Sequence, residues 1–209
     1  MMITNVPQGF PSLNVCQNNW QNFGMVVNAA INAIRQIDAI AGQRTIIALH
    51  VADPKNIDWW LRDVIRFGGV NNFDVMGFSY YHIWHNTVAF DALPALISNM
   101  IELYNKDIML LETAYPFTTD YNDNYSNIYY AQPPLPGFPY TLEGQRDFMG
   151  SLTSHLMDAG AKGVFYWEPA WITSNMPDLW GVGSPWENCA FFDFSGNLTE
   201  VVEYFTWEY

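Results

Sequence analysis

Glu112 ends an apolar run, Ile108-Met-Leu-Leu111, and Thr-Ala-Tyr-Pro116 closes the segment. A carboxylate placed where a buried strand runs out either pairs with a cation or does chemistry. With 8 lysines and arginines against 21 aspartates and glutamates, cations are scarce, which favours chemistry. Glu168 has the same setting, after Gly163-Val-Phe-Tyr-Trp167 and before Pro169. A retaining glycosidase needs a nucleophilic carboxylate and a second carboxyl group as acid/base, about 5 to 5.5 Å apart. Adjacent strands lie about 4.8 Å apart, so Glu112 and Glu168 could form such a pair. Alternatively, backbone groups hold Glu168 and it only shapes the pocket. The residues alone leave both readings open.

Aromatic and imidazole groups surround these carboxylates in the sequence. Phe73-Asp-Val-Met-Gly-Phe-Ser79 leads into Tyr80, Tyr81, His82, Trp84 and His85. Strand alternation lets only one of Tyr80 and Tyr81 face Glu112. A phenol there would hydrogen-bond the carboxylate and favour its charged form. Trp167 and Trp171 can offer flat faces to a sugar ring, and one of His50, His82 and His85 can bond a hydroxyl. His50, His82 and His85 share no zinc-type spacing. The oxygen-rich stretch Asp120 to Asn127 reads as a solvated turn before it reads as a calcium loop, because it lacks the glycine and final glutamate of an EF-hand. Cys16 and Cys189 read as two free or buried thiols.

These side chains require strands to carry them. Apolar positions from Phe23 to Ile40 recur at three and four, predicting a helix over 18–41 that Gly42 stops. Continuous apolar runs predict strands at 45–51, 75–80, 108–112 and 164–167. Helices are expected at 57–67, 90–105 and 141–160, with a terminal helix from about 199. Two long stretches, 113–140 and 169–190, lack periodicity, and loops this long inside a compact domain are usually functional. One helix followed by four β-α units means a parallel sheet with right-handed crossovers, covered on both faces. A closed barrel of this kind needs eight strands and about 250 residues. The chain has 209.

The chain is 50% hydrophobic and 14% charged, enough for a single domain with a real core. Its formal net charge of −13 disfavours nucleic acid, anionic lipid and polyanionic substrates and points to a neutral ligand. No apolar run is long enough for a membrane span, and no signal peptide is visible at the start.

Taken together, the motifs resemble glycoside hydrolase family 53, the endo-β-1,4-galactanases that act on arabinogalactan. The matching pieces are Phe73 to Tyr81 with Trp84-His85, Tyr104 to Asp107, Leu111 to Pro116, Glu143-Gly-Gln145, Gly163 to Trp171 and Trp186 to Asn197. The resemblance implies a parallel (β/α) barrel of TIM type in which only strands five to eight are present, so residues 1–209 would be one partial barrel domain lacking four N-terminal β/α units. It makes Glu112 the nucleophile at the end of strand seven. His50, Tyr80, Tyr81, Trp84, His85, Trp167, Glu168 and Trp171 become substrate-binding candidates, and Glu168 is demoted from acid/base to pocket residue. The family's acid/base lies in a Gly-Asn-Glu-Ile motif that is absent here. Ile3-Thr-Asn5 resembles the residues just after that motif in the family, which would place the start of the chain just beyond the acid/base. The expected partner is a β-1,4-galactan or arabinogalactan oligosaccharide, with self-association through open barrel edges. The family is extracellular or periplasmic. No cofactor is required. Some members hold calcium with an Asp-x-His-x-Asn pattern, matched here by Asp123 and Asn127 but with Tyr125 in place of the histidine.

Overall fold

The structure, a computed structural model, describes residues 17–209 apart from positions 178 and 180. The readings made at Ile3 to Asn5 and at Cys16 lie outside the described residues.

The elements run in the order α1 (Gln17–Ala41), β1 (Ala48–Val51), α2 (Ile57–Arg66), β2 (Val75–Ser79), α3 (Leu93–Tyr104), β3 (Asp107–Thr113), α4 (Leu142–Asp158) and β4 (Val164–Tyr166). The strands form one parallel sheet in the order β1-β2-β3-β4. The predicted α/β alternation is therefore observed, with shorter strands than expected at 45–51 and 164–167. The predicted helix over 90–105 splits. Pro94 sits in the first turn of α3, where its missing N–H costs nothing, and a short 3₁₀ turn, Phe90–Ala92, precedes it. Asn105 ends α3 in the left-handed conformation. Thr141 caps α4 by accepting from Gly144 N at 3.0 Å. The terminal helix expected from 199 is instead a 3₁₀ segment, Glu200–Thr206. Its Val-Val and Tyr-Phe pairs are poor α-formers, and no side chain caps its start.

The core lies between the sheet and the helices. Met76, Phe78 and Tyr80 of β2 and its exit pack there with Ile108 and Leu110 of β3, against Leu93, Ile97, Phe148 and Leu152. Gly24 marks a close approach of α1 to the end of α2, since a Cβ there would lie 1.9 Å from the Gly68 carbonyl oxygen. By alternation, Met109, Leu111 and Phe165 face the opposite side of the sheet. That side is thinly covered: Phe165 is 56% exposed, and Met109 and Leu111 are half-buried. On α1 the expected apolar stripe is only partly buried. Phe23, Val27 and Ile31 enter the core, whereas Val26, Ile37 and Ile40 are exposed.

Candidate active site

Strict alternation along β3 would send Glu112 to the helix side with Ile108 and Leu110. The register with β2 prevents this. Phe78 pairs with Leu110 and Ser79 with Glu112, so Leu111 is an extra residue on β3. Such a bulge re-aims the side chains beyond it. Leu111 lies over Gly77, where a Cβ would come within 2.3 Å of Leu111 Cδ1. Glu112 then faces Tyr81, whose hydroxyl donates to Glu112 Oε1 at 2.7 Å. Among the described residues, no lysine or arginine forms an ion pair with Glu112.

The structure resolves the Tyr80/Tyr81 ambiguity. Tyr81 meets the carboxylate. Tyr80 is 1% exposed with its phenol in the main core, and it meets Glu112 only through its backbone N–H, which donates to the Glu112 carbonyl at 2.9 Å. Burial, with Asp91 adding to it, pushes the Tyr80 phenol up to about 12. The Tyr81 phenol is held far above its ordinary value, first by burial and then by its bond to Glu112, so it stays a donor.

Around Tyr81 stand Trp84, edge-on at 4.9 Å, and Trp186 at 5.7 Å. Trp84 is 49% exposed and presents an open face. Trp167 and Trp171 pack against the same small cluster, which also contains Ala114, Tyr129 and Cys189. Burial raises the Cys189 thiol, so it stays protonated and serves packing. Glu168 succeeds Trp167 across a cis peptide, and its carboxylate accepts from Ala170 N at 3.4 Å. Trp186 opened one of the matching motifs but was given no role at the site. Gln145, fully buried, was likewise part of a matching motif without a role: its amide nitrogen donates to the Tyr115 and Cys189 carbonyls at 2.8 and 3.0 Å, tying α4 to both long loops.

Of the three histidines near the strand ends, His50 and His85 are buried and His82 is half-buried. His50 Nε2 lies 2.7 Å from Ser79 Oγ, and burial lowers its pKa. His85 is 7% exposed and its Nδ1 accepts from Tyr81 N at 3.0 Å. His82 stacks on Tyr129 and contacts the Tyr140 hydroxyl at 3.1 Å.

The calcium reading fares worse. Asp123 accepts from Tyr125 N and Ser184 N, both at 2.7 Å, so backbone donors occupy its carboxylate. The Asn127 amide nitrogen donates to Asp120 O at 3.0 Å, leaving Oδ1 as one buried oxygen without a partner. Calcium takes six to eight oxygens. Among the described residues no three His, Cys, Asp or Glu side chains converge as metal ligands. Asp123 and Asn127 therefore do not fit a metal site. The two loops are latched instead by Glu187, which is 1% exposed. Its Oε1 accepts from Asn122 N at 2.7 Å and its Oε2 from Thr173 Oγ1 at 2.6 Å. Excess calcium and a chelator should accordingly give the same melting temperature within about 1 °C; a calcium-dependent rise of several degrees would restore the metal reading.

A parallel sheet in sequential strand order, with a helix after each of its first three strands and polar groups gathered at the strands' C-terminal ends, places the chain in the parallel α/β class. Within that class the chain belongs to glycosyl hydrolase family 53, whose model matches residues 4–205. It is 38% identical over 175 residues to an arabinogalactan endo-beta-1,4-galactanase of Cellvibrio japonicus, covering 84% of this chain and 46% of that protein. It is 29% identical over 161 residues to the enzyme of the same name from Thermothelomyces thermophilus, covering 74% of this chain and 46% of the other. Among solved structures, the Ignisphaera aggregans GH53 catalytic domain superposes with a TM-score of 0.77 at 32% identity, over 90% of this chain and 52% of that one. The chain thus spans about half the length of the relatives it matches. Among the described residues, no helix is long and apolar enough to cross a membrane.

Proposed function

We propose that this chain carries the nucleophile side of a retaining endo-β-1,4-galactanase, with Glu112 as the attacking carboxylate. The observation that carries this reading is the Tyr81 hydroxyl on Glu112 Oε1, at a strand end walled by tryptophan. Glu112 attacks the anomeric carbon, the glycosidic oxygen leaves, and water then hydrolyses the glycosyl ester. Trp84, Trp167 and Trp171 flank the galactose rings, and Glu168 shapes the pocket. The donor that protonates the leaving oxygen comes from outside the described residues, so turnover by this chain alone is weak. The four strands correspond to the fifth to eighth of the barrel. The substrate is β-1,4-galactan, of the kind found in arabinogalactan and pectin side chains, and the setting is extracellular or periplasmic.

A specific feature supports pairing with a second half-barrel. The outer edges of β1 and β4 have no neighbouring strand among the described residues, and Ile46, Phe165, Val26 and Ile40 present apolar surface. Open edges of this kind recruit further strands. Light scattering of the purified chain is expected to give at least a dimer. Supplying the missing four β/α units should convert it to a one-to-one complex that cleaves galactan, with the β-anomer formed first. Strong cleavage by a monomeric chain, or first formation of the α-anomer, would contradict this reading.

A further inference from the structure

The Tyr81–Glu112 contact is made by a phenol that sits just past the end of β2, where the backbone leaves the sheet. Something must hold that exit in place. Tyr81 is the first residue of a tight turn: its carbonyl accepts from Trp84 N at 3.0 Å and from His85 N at 2.9 Å. Its own N–H points into the turn, where it meets no backbone oxygen. It donates instead to His85 Nδ1, at 3.0 Å and out of solvent. The Ser79 backbone lies near the ring and weakly favours its charged form. The imidazole therefore holds the strand exit through Nδ1, and only one neutral tautomer does so, with Nδ1 bare and the proton on Nε2.

We infer that His85 is a positioning residue for the proposed reaction: it holds the Tyr81 backbone so that the phenol meets the Glu112 carboxylate. This role lies beside the hydroxyl-binding role expected of His85 and acts through the Tyr81 backbone. The inference rests on Glu112 being the nucleophile only for its catalytic meaning; the geometry itself is independent of turnover. The ring is set among Tyr80 and Tyr81 on its own segment and is influenced by Asp53 and Lys55 from the exit of β1, whose pulls on it oppose each other. Burial is the larger effect and lowers its pKa. The accepting form is thus the one that persists at neutral pH, and a proton on Nδ1 would face the Tyr81 N–H and break the contact.

Two substitutions separate positioning from packing. In His85→Asn the side-chain oxygen takes the place of Nδ1 and accepts the Tyr81 N–H. In His85→Gln the amide reaches the place of Nε2 and leaves that N–H bare. The readout is the Tyr81 phenol signal in chain labelled with ¹³Cζ-tyrosine, assigned by its loss in Tyr81→Phe. In the unsubstituted chain the signal should show no ionisation up to pH 11. His85→Asn should preserve this, while His85→Gln should move the signal and bring its ionisation below pH 11. An unmoved signal in both folded variants, or equal movement in both, overturns the inference. Should either variant fail to fold, the ¹⁵N-histidine spectrum of the unsubstituted chain decides: His85 carrying its proton on Nδ1 at pH 7 overturns the inference, and a bare Nδ1 supports it. Neither readout needs turnover, so a chain that never acts on galactan would sink the proposed function and leave this inference standing.

Discussion

Replacing Glu112 with Gln is expected to lower cleavage of an activated galactoside by on the order of 10⁴-fold or more, to the background rate. The appropriate substrate is a dinitrophenyl β-galactobioside. Its leaving group departs as a stable phenolate and needs no proton, so the measurement is independent of any acid/base and reads the nucleophile alone. Gln keeps the size of the side chain and can still accept from the Tyr81 hydroxyl, so the fold and the aromatic wall should persist. What is lost is the charge that attacks the anomeric carbon. The shorter variant Glu112→Ala leaves room for azide to attack the same face and displace the phenolate. It should regain activity with azide and yield the α-galactosyl azide, the product of a single inversion. Glu168→Gln should lose far less under the same conditions, because Glu168 accepts from the Ala170 backbone and makes no contact with the Tyr81 phenol. Equal losses at both positions would reopen the two-carboxylate pairing that spacing alone permitted.

The largest effect on stability is expected at Phe148. This residue of α4 is fully buried and stacks on Tyr115, with ring centroids 4.1 Å apart. Tyr115 in turn organises the long loop after β3, donating to the Phe138 carbonyl at 2.5 Å and accepting from Leu135 N at 3.0 Å. Removing the phenyl ring in Phe148→Ala loses its burial and leaves a cavity beneath both Tyr115 and Phe90. Such changes cost about 3–5 kcal/mol, which for a domain of this size lowers the melting temperature by roughly 10 °C. Phe148→Leu should recover about half of that. The damage should extend to the aromatic wall, because the same loop carries Tyr129, packed at 6.4 Å from Trp186. A melting temperature within 2 °C of the parent chain would mean that Tyr115 is held by its hydrogen bonds alone.

The elements were legible in the sequence because their signals are local. Apolar runs marked all four strands, and three-and-four spacing marked α1, α3 and α4. What the sequence did not contain was the partner that each side chain would meet. Tyr80 and Tyr81 are chemically alike, and their fates diverge only because β2 exits with Tyr80 toward the helices. The bulge at Leu111 leaves no trace in a run of apolar residues, yet it turns Glu112 away from the helix side. His50 and His85 looked available for a ligand. Each makes a hydrogen bond, to Ser79 Oγ and from Tyr81 N respectively, that only the folded sheet brings into reach. The calcium pattern carried over two oxygen ligands by resemblance, but the fold fills Asp123 with backbone donors and latches the loops through Glu187. The terminal helix failed for a propensity reason that was visible: Val201, Val202, Tyr204 and Phe205 resist an α-helix, and the segment settles into 3₁₀ turns. On α1, the exposure of Val26, Ile37 and Ile40 is the one place where periodicity overstated burial, and it lies on the surface proposed to meet a second half-barrel.

The most direct test of the central claim is to trap the glycosyl ester. A 2-deoxy-2-fluoro-β-galactobioside with a dinitrophenolate leaving group slows both steps but spares formation of the ester relative to its hydrolysis. Incubated with the chain and digested, it should leave a single fluoro-glycosyl adduct, and fragmentation should place it on Glu112. An adduct on Glu168 or any other side chain, or complete release of dinitrophenolate without an adduct, would contradict the account.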